Sequence, residues 1–269
     1  MPGSPLRLLT IAGSDSGGGA GIQADLKAFA RAGAHGMSAI TAVTAQSTAA
    51  VSAVYPLPPD AIVEQVRAVA DDIGVDAVKI GMVGGSEAIE AVERALELVG
   101  DVPVVLDPVM VAESGARLLD EEAVQALRER LVPRATVVTP NLAEAAALTG
   151  MDAGDDPEQL ARAVHALGPA AVVVTGGHRE DATDLFFDGE RVEAIRGERQ
   201  PDGAAHGSGC THSSTLAAAL AAGDEPLEAA RRAKQVAEAA VRDGLRSLGA
   251  GAGPVDVFGL GAGPDPQPA

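Results

Sequence analysis

The sequence predicts one α/β domain built on a mostly parallel sheet, and three observations carry that expectation. Short apolar runs of strand length alternate with helical patterns from one end of the chain to the other. No repeat or interdomain linker interrupts the alternation. The residues that follow the strand patterns are unusually polar or glycine-rich, as expected where a parallel sheet gathers a cleft at the carboxyl ends of its strands.

Taken in order, Leu6–Ala12 reads as the first buried strand and empties into Gly13–Gly21. Ile22–Ala32 then has helical spacing, and Gly33 stops it. Ser38–Thr44, rich in Ile, Val and Thr, is the second strand, with Gln46 just beyond it. Val51–Tyr55 is a short edge strand stopped by Pro56, Pro58 and Pro59, and Pro59-Asp60 opens the helix Ala61–Ile73. Ala77–Ile80 is the third core strand, followed by Gly81-Met82 and a helix over Ser86–Val99 with Ser86 as its cap. Val102–Leu106 delivers Asp107-Pro108, and Asp120–Leu131 is the next helix. Thr136–Thr139 leads to Asn141, the only asparagine in the chain, and to a helix Leu142–Leu148 with Glu144 in its first turn. Pro157–Leu167 is a helix and Ala171–Val174 a strand. Asp184–Asp188 and Glu190–Ile195 form a hairpin around Asp188-Gly189, placed with the edge strand at the periphery. A small-residue helix His212–Ala222 and an amphipathic helix Leu227–Leu248 close the domain, which spans residues 1–269 with a Gly/Pro-rich tail from Gly249, ordered in part.

Composition sets limits. With 46% hydrophobic but only 2% aromatic residues, the core must be Val, Leu, Ile and Ala. A net charge of −18 argues against nucleic-acid or anionic-membrane binding through bulk electrostatics. A phosphate ligand needs only a local positive potential and is not excluded. One cysteine rules out an internal disulfide and a cysteine-cluster metal site. No apolar run is long enough to span a membrane. These features lead us to expect a soluble, cytoplasmic protein.

The candidate chemistry lies in the loops, each with two readings. His206-Gly207-Ser208-Gly209-Cys210-Thr211 precedes a helical pattern, so its backbone N–H groups face an anion or merely cap a helix. Cys210 at that entrance is expected to ionise more easily than a free thiol. Gly13–Gly21 is a phosphate-binding turn or a flexible one, and it is neither a Walker A loop nor a dinucleotide fingerprint. Gln46 aims at a ligand or at solvent. Asp107 binds Mg2+ or its waters, or makes an Asx turn before Pro108. Glu144 serves a metal or caps its helix.

Several runs together resemble a known family: Leu9–Gly13 with Gly18–Lys27, Gly36–Thr44 with Gln46, Lys79–Met82, Leu106–Met110, Ser114-Gly115, Thr139–Leu142 with Glu144, Gly176–His178, and His206–Thr211. From Leu8 to Leu248 the chain is similar to the hydroxymethylpyrimidine and phosphomethylpyrimidine kinases of thiamine biosynthesis. The resemblance implies a ribokinase-like three-layer α/β/α sandwich with a mostly parallel central sheet and small peripheral antiparallel strands. It implies ATP-dependent phosphorylation of 4-amino-5-hydroxymethyl-2-methylpyrimidine and then of its monophosphate, with ATP and Mg2+ as cofactors. It places Gly13, Asp25, Gln46, Met82 and Val109 at the pyrimidine. Gly207, Ser208, Gly209 and Cys210 fall at the transferring phosphoryl group, with Cys210 either a base or part of the anion hole. Asp107 and Glu144 fall at the metal, and Asn141, Thr175 and Gly177 at the nucleotide. The expected partner is a small-molecule pyrimidine, with no nucleic acid and no membrane; a homodimer stays open. Departures from the family pattern are Thr175 where a lysine is common, for which Arg179 is a candidate substitute, Glu113 where lysine is common, Ala204-Ala205 before the His-Gly turn, and Ser14–Gly17 in place of a proline-containing loop. A pyridoxal or pyridoxine kinase, and a ligand-binding relative without turnover, are the alternatives.

Overall fold

Alternation of buried side chains along six short strands builds a sheet with two apolar faces. In the computed structural model, which describes residues 4–111, 118–154, 156–176, 182–200 and 203–262, the elements run β1 (Arg7–Asp15), α1 (Gly21–Arg31), β2 (His35–Gln46), β3 (Val51–Pro56), α2 (Pro59–Asp72), β4 (Ala77–Ile80), α3 (Ser86–Leu96), β5 (Val104–Leu106), α4 (Glu121–Ala126), β6 (Val137–Val138), α5 (Leu142–Thr149), α6 (Pro157–His165), β7 (Ala171–Val174), β8 (Asp184–Phe187), β9 (Val192–Ile195), α7 (Ser208–Ala221) and α8 (Pro226–Arg242). The strands form one nine-stranded sheet in the order β3-β2-β1-β4-β5-β6-β7-β8-β9. The pairings from β2 through β7 are parallel; β3 and the β8–β9 hairpin pair antiparallel at the two edges.

Successive strand residues point to opposite faces, and the core divides accordingly. Leu9, Ile11, Val78 and Ile80 pack against α2 to α6. Leu8, Ala77, Val105 and Val173 pack against α1, α7 and α8. This is the three-layer sandwich. From β1 the chain proceeds to β2 on one side and later to β4 on the other, so the strand order reverses there. The gap between the carboxyl ends of β1 and β4 is where an open α/β sheet places a ligand cleft.

Several boundaries differ from the sequence expectation. β2 runs through Gln46, because an antiparallel partner, β3, is available to extend its ladder. Gly85, not Ser86, caps α3, and the Ser86 hydroxyl donates to Glu122 instead. The helix capped by Asp120 widens into a π turn over Leu127–Leu131 before a short 3-10 turn. α7 begins at Ser208, four residues before the expected start, so Cys210 lies inside its first turn. α8 ends at Arg242. Beyond it, the tail packs back on the body: Val255 and Val257 are buried against Ala240 and Val241, and residues 263–269 lie outside the described residues.

One fully buried charge pair ties the layers together. Lys79 on β4 alternates out of phase with Val78 and Ile80 and so faces α1 and α7. Its Nζ lies 2.9 Å from Asp25 Oδ1, and both side chains are completely buried. Thr10 of β1 donates to Asp25 Oδ2 at 2.6 Å, and Ser214 of α7 donates to Oδ1 at 2.7 Å. One carboxylate thus links α1, β1, β4 and α7. Burial opposes the charge on Lys79, but Asp25, Cys210 and Asp107 outweigh it and hold the ammonium protonated. Removing one partner of a buried pair strands the other charge, at a cost of about 3–5 kcal/mol. Lys79→Met should therefore lower the free energy of urea unfolding by about that amount, and adding Asp25→Asn to it should recover part of the loss. Equal unfolding midpoints for wild type and Lys79→Met would show that the pair contributes nothing.

Candidate active site

The reversal of strand order opens a cleft of ≈ 430 Å³, within the usual range for small-molecule sites. Of the residues that the sequence placed at the site, Gly13, Gln46, Met82, Asp107, Val109, Asn141, Glu144, Thr175, Gly207, Ser208, Gly209 and Cys210 all line it. Two do not. Asp25 sits beneath the floor in the Lys79 network and reaches the cleft only through its neighbours. That corrects its placement at the pyrimidine, and the reason is that all its acceptor capacity facing α7 and β1 is already used. Gly177 lies outside the described residues, as do His178, Arg179, Glu113 and Ser114-Gly115.

At one end, the Met82 thioether lies over Gly13, where a Cβ would come within 2.3 Å of its methyl carbon. The Gly13 N–H and the Thr41 hydroxyl both donate to the Met82 carbonyl, fixing this wall. Gln46 completes that end, with its Oε1 3.2 Å from the Thr44 hydroxyl. Gln46 lines the cleft there.

The middle is the first turn of α7. Gly207 is its N-cap at φ 85°, a left-handed conformation that favours glycine, and a Cβ there would strike the Gly19 carbonyl oxygen at 1.8 Å. The Ser208 N–H is spent on Ala205 O and the Thr211 N–H on Gly207 O. Gly209 and Cys210 N–H have no acceptor among the described residues, which leaves two donors at the positive end of a fourteen-residue helix. Gly209 faces Asp107: a Cβ built on it would stand 3.9 Å from Asp107 Oδ2, in the space between the turn and the carboxylate.

Cys210 does not behave as the sequence suggested. Burial pushes its thiol up to about 12. Lys79 pulls it down only in part, and Asp25 and Asp107 push it up further. The residue is half-buried and lines the cleft, yet protein crowds its thiol enough that desolvation is the largest influence on it.

Two carboxylates face the turn. Asp107, at the end of β5, accepts from the Ser213 hydroxyl at 3.1 Å and lies 3.9 Å from Lys79 Nζ. Burial still raises its carboxyl, against the opposing pull of Lys79. Glu144 does both things the sequence allowed: it forms a capping box with Asn141, each side chain accepting from the other's backbone N–H at 2.9 Å, and it lines the cleft. Burial first, and the Asp107 charge second, push it to about 8. Two desolvated carboxylates, both raised by burial and Glu144 raised further by the Asp107 charge, fit a hard divalent cation. Among the described residues no group of three or more His, Cys, Asp or Glu could hold a metal, so the donor set suits Mg2+, which keeps waters and phosphate oxygens as its other ligands.

The first glycine loop is neither a phosphate cradle nor a slack turn. Its N–H groups at Gly17, Gly19 and Ala20 donate to the Asp15 carboxylate at 2.8–3.0 Å, so none of those three is free for a ligand phosphate. At the far end, Asp184 accepts from Gly176 N–H and from Lys234 Nζ, each at 2.8 Å, and stays ionised because His212, Lys234 and Gly176 outweigh its burial. Lys234 and Arg199 line the cleft beyond Thr175. Asp15, Lys79, Asp184 and Lys234 were not marked by the sequence as site residues, since little in their own segments set their charges apart. The only available signal was that Lys79 interrupts an otherwise apolar core strand.

A family model described as phosphomethylpyrimidine kinase matches residues 15–256, which takes in the α7 turn and all of the cleft lining except Gly13 and Ser14. The chain belongs to the phosphomethylpyrimidine kinase family. Within it, the chain is 50% identical over 259 residues to the hydroxymethylpyrimidine/phosphomethylpyrimidine kinase of Rhizobium meliloti, covering 93% of this chain and 96% of that one. It is 46% identical to the enzyme of the same name from Streptomyces coelicolor, covering 95% of each. Among solved structures, the ADP complex of Bacillus subtilis pyridoxal kinase superposes with a TM-score of 0.87 at 41% identity, covering 96% of this chain and 99% of that one.

Two outcomes follow for this family member. Gly209→Ala should leave the fold intact or stabilise it by up to about 1 kcal/mol, because alanine outranks glycine inside a helix. It should nevertheless cut kcat about 100–1000-fold by filling the gap facing Asp107; an active, equally stable variant would show that the gap is unused. The second concerns pH. Because the folded Glu144 carboxyl lies above its unfolded value, the folded state holds the extra proton between about 4.5 and 8, and wild-type stability falls as pH rises through that window. Glu144→Gln keeps the capping acceptor and removes the ionisation. Its stability relative to wild type should therefore grow by about 1–4 kcal/mol between pH 5 and pH 8.5 in urea unfolding without metal. A pH-independent difference would refute this.

Proposed function

We propose that the protein is an ATP-dependent kinase that phosphorylates 4-amino-5-hydroxymethyl-2-methylpyrimidine and then its monophosphate, giving the diphosphate for thiamine biosynthesis. The observation that carries this reading is the first turn of α7: two unpaired N–H groups and a side-chain-free gap opposite Asp107, in one cleft with Gln46, Met82 and Val109. The polar edge of an aminopyrimidine suits the Gln46 amide, and its ring suits the apolar walls of Met82 and Val109. The hydroxymethyl then points toward the turn.

Transfer forms a bond between the alcohol oxygen and the γ-phosphorus and breaks the bond from that phosphorus to the bridging oxygen. Most of the catalytic demand is alignment and stabilisation of charge on the equatorial oxygens. Gly209 and Cys210 N–H supply donors that are already oriented, and the helix dipole adds to them. Asp107 and Glu144 would hold Mg2+, which when bound would neutralise charge on the nucleotide phosphates. Asn141 and Thr175 border the nucleotide, as would Gly177. Lys234 and Arg199 provide positive charge at that end in place of the lysine that Thr175 lacks. With its thiol held near 12, Cys210 works through its backbone N–H and as a wall. The loose transition state leaves the alcohol proton until late, so a strong base is not needed.

Phosphorylation of pyridoxal is the second reading, favoured by the close structural match to a pyridoxal kinase. Both alcohols are hydroxymethyl heteroaromatics. ADP release measured on the pyrimidine alcohol, its monophosphate and pyridoxal should rank the pyrimidine alcohol first by kcat/KM; turnover of pyridoxal alone would overturn the assignment. In the same assay Cys210→Ala should lose less than about tenfold in kcat, below the 100–10,000-fold that a general base contributes. A larger loss would return the base role to the thiol. Solubility in a cytoplasmic setting and a homodimeric assembly fit this reading; among the described residues no helix is long and apolar enough to cross a membrane.

A further inference from the structure

The buried Asp15 carboxylate is saturated by donors from two separate loops. Its Oδ1 accepts from Gly17 N–H at 2.8 Å, and its Oδ2 accepts from Gly19 N–H at 3.0 Å, Ala20 N–H at 2.8 Å and His206 Nε2 at 3.0 Å. Burial opposes the charge, but the His206 and backbone hydrogen bonds hold the carboxyl below its usual range. An ionised carboxylate only accepts, so the His206 ring carries its proton on Nε2. His206 itself is buried and fixed by its backbone, which donates to Gly253 O and accepts from Val255 N–H. No side chain separates the two loops. A Cβ on Gly19 would lie 2.1 Å from the His206 ring, and one on Gly207 would lie 1.8 Å from the Gly19 carbonyl oxygen. A shift of the Ser16–Ala20 loop must therefore move Gly207, and with it the first turn of α7.

We infer that Asp15 and His206 are positioning residues for phosphoryl transfer: their hydrogen bond clamps the glycine loop against the α7 turn and sets where the Gly209 and Cys210 N–H groups point. The inference rests on the kinase reading above. Neither residue touches the transferring group; they act through Gly19 and Gly207.

The test exploits reach. In His206→Gln the side-chain amide nitrogen reaches the former Nε2 position, whereas in His206→Asn it reaches only that of Nδ1. In ADP-release assays His206→Asn should lose at least about 30-fold in kcat with the KM for the pyrimidine alcohol changed less than about threefold, and His206→Gln should stay within about fivefold of wild type. Melting temperatures of the two variants should be similar. Equal kcat in the two folded variants, or a loss in kcat matched by equal losses in pyrimidine affinity and melting temperature, would overturn the clamp. Should His206→Asn not fold, Asp15→Asn gives the same reading: it presents an amide N–H to a backbone N–H, and wild-type kcat in it would overturn the proposal. Absence of wild-type turnover would be a failure of the functional reading alone. The clamp is then judged by MgATP affinity in calorimetry, expected to be at least about fivefold weaker in His206→Asn than in His206→Gln, with equality refuting it.

Discussion

The placement of one helix terminus decides what this cleft can do, and the Asp25–Lys79 pair is the interaction on which that placement depends. An ion pair with no exposed surface costs desolvation that Coulomb attraction alone rarely repays. Here the cost is offset because each remaining Asp25 acceptor meets a hydroxyl from a different element, Thr10 of β1 or Ser214 of α7. The result is directional. An apolar contact would hold α7 against the sheet but let it slide, whereas hydrogen bonds at 2.6–2.9 Å fix its rotation and height. Since the useful donors are the N–H groups of Gly209 and Cys210, a small rotation of α7 would aim them elsewhere.

The site handles anions with backbone rather than side chains, which suits a strongly acidic chain. The net charge of −18 would repel a nucleotide at long range, yet the local field at the first turn of α7 is set by the helix terminus, by Lys79 behind it and by Lys234 and Arg199 along the cleft. Asp107 and Glu144 add negative charge where a cation is wanted; burial raises both carboxyls, and the Asp107 charge raises Glu144 further. Burial thus works in two directions. It keeps the Cys210 thiol inert, and it leaves the two carboxylates in a state that a divalent ion relieves.

The family of the chain and its architecture were legible in its residues. Alternating apolar runs, proline and glycine stops and the hairpin around Asp188-Gly189 were enough for one α/β domain on a mostly parallel sheet, because strand and helix periods are local properties; the three-layer sandwich came from the family resemblance. The runs Gly18–Lys27 and His206–Thr211 were specific enough to indicate the kinase family, and twelve of the residues singled out converge on one cleft. Asp25 was placed at the pyrimidine by the resemblance; only packing reveals that it meets Lys79, 54 residues away, beneath the floor. The glycine loop was ambiguous because its donors looked free, and Asp15, two to five residues earlier, turned out to bind them.

What the sequence determined by itself is therefore everything carried by spacing: the succession of strands and helices along the chain, the glycine turn ahead of α7, and Glu144 in the first turn of its helix. What only the tertiary structure decided is everything carried by distance between remote segments: the ionisation of Cys210, the confinement of Asp25 beneath the floor, and the contact of Gly19 with Gly207. Those depend on desolvation and on donors arriving from other loops, and neither quantity exists until the chain has folded around the group concerned.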